Sequence, residues 1–240
     1  MKTAVVIGVG PLRGLGATLC LAAAREGLHV VVAGRSEDKL DAVVAEISAA
    51  GGVATAVVCD TTEEAQVVEL VQQAEAIAPV DLAIYNAGNN MPGDFLQMEA
   101  SFFDQCYRVG LYGGFLFSRE VLRKMVPRGQ GCLLFTGASA SMRGKPFFAA
   151  FTAAKGGLRN LAQSLAREYQ PHGVHVGHVV VDGGIYGEKI ETRVPDWYAQ
   201  KGQEGLIDLQ GIADSYLFMY RQSRNAWTHE LDLRTHLESF

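Results

Sequence analysis

The chain has 240 residues, 48% of them hydrophobic and 20% charged, with a formal net charge of −5 at pH 7. That length suits one α/β domain over 1–240, the apolar share excludes a disordered chain, and the negative balance argues against nucleic acid as the main partner. Cys20, Cys59, Cys106 and Cys132 are widely spaced, with no CxxC or Cys/His cluster, so buried reduced thiols are expected and a metal site is not.

The N-terminus, MKTAVVIGVG, runs from one lysine into an apolar segment too short for a signal-peptide core. No stretch reaches the roughly 18 apolar residues of a membrane helix. A cytoplasmic protein that engages no membrane is expected.

TAVVIGVG (3–10) reads as a first strand and 14–27 as a helix closed by Gly27. HVVVAGR (29–35) is a second strand. The helix over 36–52 is expected to be capped by Ser36 and ended by glycines. VATAVVCD (53–60) is a third strand, and the helix at 61–78 opens with Thr61 and Glu64 at capping-box spacing. VDLAIYNAG (80–88) is a fourth strand ending in a turn. One helical region covers about 100–126, GCLLFTGAS (131–139) is a fifth strand, 147–169 a helix, and HVGHVVVDGG (175–184) a sixth strand. Residues 186–212 read as an irregular substrate-side loop, and 213–240 as a closing helix plus strand. Near-continuous apolar strands joined by helices predict a parallel sheet covered on both faces, a doubly wound α/β fold.

The first strand enters GVGPLRGLG, which places Gly10, Gly14 and Gly16, with Leu15, between a strand and a helix. In that context glycines let the backbone approach a pyrophosphate, and a helix N-terminus supplies N–H donors. The second strand ends in Gly34-Arg35 with no acid to hold a ribose 2′-hydroxyl, and Arg13 lies in the glycine loop. Two guanidinium groups favour the 2′-phosphate of NADP(H), with NAD(H) as second choice. The alternative makes Arg35 a solvated residue that opens a helix. Asp60 either accepts from an adenine amino group or serves as a helix N-terminal acid. Asn86-Ala87-Gly88 ends the fourth strand, where Asn86 either contacts cofactor or braces the turn.

Gly10-xxx-Gly14-x-Gly16, Asp60, Asn86-Ala87-Gly88 and the helix carrying Lys155 together resemble the short-chain dehydrogenase/reductase family over roughly residues 3–185. The resemblance implies a Rossmann-type sheet, a nicotinamide cofactor, a small-molecule substrate and commonly a homotetramer. It also implies that Lys155 bonds the nicotinamide ribose, that the Ile185 backbone meets the carboxamide, and that Gly183 is among the cofactor-binding residues. The family's proton-transferring tyrosine stands four residues before the lysine. That position here is Phe151, which has no proton to give. The serine position is Ala138, with Ser139 and Ser141 beside it, the asparagine position is Gly110, and the family's Pro-Gly after the sixth strand is Asp182-Gly183.

Tyr186, Tyr112 and Ser139 are the candidate replacement donors, each more readily read as a packing or loop residue. Met142, Phe147, Phe148 and Phe151 suggest an apolar wall, and His178 reads as a satisfied interior histidine. Trp227 and Leu231 are either interface or core residues. Two functions remain: an NADP(H)-dependent oxidoreductase for a carbonyl, an alcohol or an activated double bond with a non-standard proton donor, or a non-catalytic NADP(H)-binding sensor or oligomeric partner.

Overall fold

The computed structural model describes residues 1–238. Seven strands form one sheet in the order β3-β2-β1-β4-β5-β6-β7. They are β1 (Thr3–Ile7), β2 (His29–Gly34), β3 (Ala54–Val58), β4 (Val80–Tyr85), β5 (Gly131–Thr136), β6 (Val174–Val181) and β7 (Glu230–Leu233), and every pairing is parallel. The chain order reverses between β1 and β4, so the carboxyl ends of these two strands open a crevice.

The helices are α1 (Leu15–Arg25), α2 (Glu37–Ala49), α3 (Glu64–Ile77), α4 (Ala100–Tyr107), α5 (Gly113–Arg128), α6 (Ala149–Tyr169), α7 (Glu188–Arg193), α8 (Pro195–Lys201) and α9 (Leu209–Tyr220). In α2, Leu40, Val43 and Ile47 form one apolar stripe, and in α3 Val67, Leu70, Val71 and Ala74 form another. One core lies between the sheet and α1, α2 and α9, and a second between the sheet and α3, α5 and α6. Because β1, β4 and β5 are buried on both faces, their sequences read as near-continuous apolar runs, interrupted only by Thr3, Asp81 and Thr136.

Several expectations change. Residues 186–212 fold into α7, α8 and the start of α9. Their turns are too short, and too interrupted by Pro195 and Gly202, to show a helical period. The closing helix therefore begins at Leu209, and positions 239–240 of the expected 213–240 unit lie outside the described residues. The helical region over 100–126 is split by a π-helical turn at Arg108–Tyr112. Ser36 is the N-cap of α2 but makes no side-chain capping bond. The Thr61/Glu64 capping box does not form either. Glu63 is the N-cap of α3, and the Asp60 carboxylate instead accepts from the Thr62 N–H and hydroxyl at 2.9 and 2.8 Å.

All four cysteines are buried and unpaired. His178 is fully buried, with Nδ1 3.0 Å from Glu230 Oε2, but Nε2 has no partner among the described residues, so the interior histidine is only half satisfied. Trp227 stacks on His175 at 5.0 Å and Leu231 packs against the first core, so both have partners within the chain. Among the described residues no helix is long and apolar enough to cross a membrane, and no group of three His, Cys, Asp or Glu side chains is placed to hold a metal ion.

Candidate active site

A cavity of about 550 Å³ opens at the carboxyl ends of β1 and β4. Its shape starts at Gly8, where φ is +93° and a Cβ would stand 2.4 Å from Ala87 N. Glycine alone lets the two strand ends meet this closely. Asn86 then ties them together. Its amide donates to Gly8 O at 3.0 Å, and its carbonyl accepts from the Thr136 hydroxyl at 3.1 Å. Both ends of Asn86 are thus spent on bracing, although the residue also lines the cavity.

The nucleotide end is walled by Gly10, Arg13, Gly14, Leu15, Gly16, Arg35 and Asp60. A Cβ at Gly10 would meet nothing within 4 Å, so the loop there is open to a ligand. Arg35 is exposed at the rim, with Lys39 from the first turn of α2 beside it in the wall. Lys39 adds a third cation that sequence reasoning passed over, although its place four residues after Arg35 was a readable signal. Arg13 is not free, since Nη1 pairs with Glu191 of α7 at 3.0 Å. These residues fit a dinucleotide carrying an extra phosphate: the wall holds Arg35, Lys39 and Arg13, and no carboxylate stands at the end of β2.

Lys155 marks the other end. It projects from α6, is 3% exposed, and donates from Nζ to Thr136 O at 2.7 Å, with Ala87 O at 3.5 Å. A Cβ at Gly88 would sit 3.2 Å from Nζ, so the glycine leaves the ammonium its space. Burial, and secondarily the charge of Lys189, lowers the Lys155 pKa to about 8. Phe151, Ala138, Gly183 and Ile185 line the same cavity. So do Lys189 and Arg193 of α7, which the sequence does not signal because a six-residue helix is too short to show a period.

Ser139 and Tyr186 are not among the lining residues. Ser139 opens a 3-10 turn at Ser139–Ser141, and Tyr186 stacks on Tyr198 at 5.2 Å. Tyr112, at the end of the π-helical turn, stays with Arg108 of the turn and Phe115 of α5. Of the expected apolar wall only Phe151 reaches the cavity, whereas Met142 and Phe147 are 46% and 63% exposed. Asp182, at the position where the resemblance expects proline, is buried and held bidentately by Arg143 at 2.9 and 3.0 Å. Its N–H also donates to Leu233 O at 2.8 Å, a bond proline cannot make.

Comparison with known proteins places this geometry. The short chain dehydrogenase family model matches residues 2–192. Gluconate 5-dehydrogenase of Gluconobacter oxydans is 30% identical over 203 residues, covering 82% of this chain and 78% of that protein. 2-Dehydro-3-deoxy-D-gluconate 5-dehydrogenase of Formosa agariphila is 30% identical, covering 81% and 80%. A solved short-chain dehydrogenase from Rhodopseudomonas palustris superposes with a TM-score of 0.84 at 35% identity, covering 98% and 99% of the two chains. A metagenomic short-chain oxidoreductase in complex with NADP gives 0.82 at 26% identity, covering 98% of each chain.

Proposed function

Because the chain belongs to the short chain dehydrogenase family, we propose that it is an NADP(H)-dependent oxidoreductase acting on a carbonyl, an alcohol or an activated double bond. One observation carries this reading: Lys155 is buried at the cavity floor, with Nζ held 2.7 Å from Thr136 O and no carboxylate bonded to it among the described residues. An ammonium group is costly to bury, so its retention there points to a ligand that uses it. The NADP complex of the metagenomic relative supports the cofactor, as do Arg35, Lys39 and Arg13 in the nucleotide wall.

The residues divide the work between them. The glycine loop from Gly10 to Gly16 receives the pyrophosphate, and Arg35 with Lys39 receives the 2′-phosphate. Gly183 and Ile185 hold the carboxamide end, while Lys155 orients the nicotinamide ribose. A bound nicotinamide supplies or accepts the hydride. Phe151 cannot supply the accompanying proton, and Lys155, titrating near pH 8, takes over as the group that holds and releases it. The same reading treats 1–240 as one domain, with the 186–212 segment as its substrate-side wall. It makes the protein a cytoplasmic homo-oligomer, dimer or tetramer, which the exposed Phe103, Tyr107 and Phe115 of α4 and α5 support.

Titration with NADPH and NADH, followed by a carbonyl screen that monitors reduced-nicotinamide absorbance, tests the proposal. Tighter NADPH binding together with turnover is expected. Absence of dinucleotide binding would overturn it. A second reading, a non-catalytic NADP(H) sensor, is favoured by the Ala138, Phe151 and Gly110 replacements, and NADPH binding without turnover on any substrate would establish it.

A further inference from the structure

Helix α7 crosses the cavity mouth. At its start the Glu188 N–H donates to Arg13 O at 2.9 Å, which ties it to the glycine loop. At its end Arg193 Nη1 lies 3.2 Å from Met91 Sδ, across the cleft in the segment after β4. Lys189 and Arg193 stand four residues apart, hence on one helix face, and both line the cavity.

These two cations have no counter-charge among the described residues. Of the α7 carboxylates, Glu191 is occupied by Arg13, and Glu188 sits at the glycine-loop end. Among the described residues, the Met91 thioether is the hydrogen-bond partner of Arg193, and no ion pair joins Lys189 to a carboxylate. Both side chains are exposed at the cavity mouth; partial desolvation there, and then Arg193, lowers the Lys189 pKa, and Lys155 in turn responds to Lys189. Three cations thus act on one another at the chemistry end, while Arg13, Arg35 and Lys39 serve the opposite end. Such mutual repulsion is relieved when an anion enters between them.

We propose that Lys189 and Arg193 form an anion subsite that receives a substrate carboxylate, making the substrate a hydroxy acid or oxo acid. This rests on the oxidoreductase reading only for the word substrate, since the subsite itself follows from α7. The carboxylate pairs with the Arg193 guanidinium and the Lys189 ammonium, leaving the carbonyl or alcohol carbon to face Lys155.

Calorimetry on the full chain, with and without NADP⁺, tests this using three pairs of probes: tartrate against threitol, D-gluconate against D-glucitol, and oxamate against oxamide. The wild type is expected to bind at least one of these acids about 10-fold or more tightly than its neutral counterpart. The Lys189→Gln/Arg193→Gln double variant should lose that preference with its NADPH affinity unchanged, and Lys145→Gln, an exposed lysine outside the cavity, should keep it. Absence of preference for every acid, or a preference that survives the double variant, overturns the proposal. So does a fall in NADPH affinity in step with the acids, which would assign the cations to the dinucleotide's pyrophosphate. If the wild type prefers an acid but binds no dinucleotide, the subsite stands and the oxidoreductase reading falls.

Discussion

The backbone at Gly110 runs so close to Ala154 that a Cβ added there would lie 2.6 Å from the alanine's Cβ. The π-helical turn at Arg108–Tyr112 is held in this position by Tyr85, whose hydroxyl donates to Val109 O at 2.6 Å. The asparagine of the family pattern therefore has no room. Gly110→Asn is expected to overpack the contact between the turn and α6 at a cost of about 1–3 kcal/mol. A thermal melt should fall by several degrees without any gain of turnover, and an unchanged melt would mean that the contact yields.

Phe151→Tyr addresses the missing phenol directly. Phe151 is half-buried, lines the cavity and stands four residues before Lys155 on α6. The added hydroxyl faces the chemistry end, so kcat for carbonyl reduction is expected to rise about 10-fold or more with the NADPH affinity constant. Stopped-flow loss of NADPH absorbance measures both, and an unchanged kcat would show that the proton already arrives by an equally good route.

Lys155 also fixes a pH dependence. Its pKa is near 8 in the fold and 10.5 when unperturbed, so between these values the unfolded chain holds the proton that the folded chain has released. Stability therefore increases as pH rises from about 8 to 10.5, because the cost of burying the ammonium is fully present below 8 and fades above it. Denaturant melts of wild type and Lys155→Met across this range should show the wild type gaining on the variant. Parallel curves would place the titration elsewhere.

At the nucleotide end, Arg35→Ala is expected to weaken NADPH by about 10- to 100-fold and to leave NADH nearly unchanged, as befits a lost charge-assisted bond to a phosphate. Equal losses for the two coenzymes would remove Arg35 from 2′-phosphate recognition.

Glu191→Gln tests the ion pair that occupies Arg13. Both partners are well exposed, 57% and 40% by side chain, so solvent screens the pair and holds it weakly. Releasing Arg13 should tighten NADPH by a few-fold in a fluorescence titration, with NADH little affected. Weaker NADPH binding would mean that Arg13 needs Glu191 to be positioned.

The parallel sheet was legible because β1, β4 and β5 are buried on both faces and carry no polar alternation to disguise them. Lys155 and the glycine loop were legible because their spacing along the chain is what places them at one strand edge. The missed features depend on long-range pairing. Nothing local to Arg13 announces Glu191, and nothing local to Arg143 announces Asp182. The Thr61/Glu64 box failed because the Thr61 hydroxyl is buried and donates to the Tyr85 hydroxyl at 3.1 Å, a partner 24 residues away that no local pattern announces. Helix α7 was hidden by its six-residue length, and Lys189 and Arg193 went unread with it.

The attachment of α7 to both banks of the cleft carries a kinetic consequence. A coenzyme seated beneath this crossbar would have to wait for it to unfasten before leaving, and the two cations proposed to grip the second reactant ride on the same bar. Unfastening it for exchange would scatter that grip. The scheme this favours is sequential and ordered, with the dinucleotide first to arrive and last to depart.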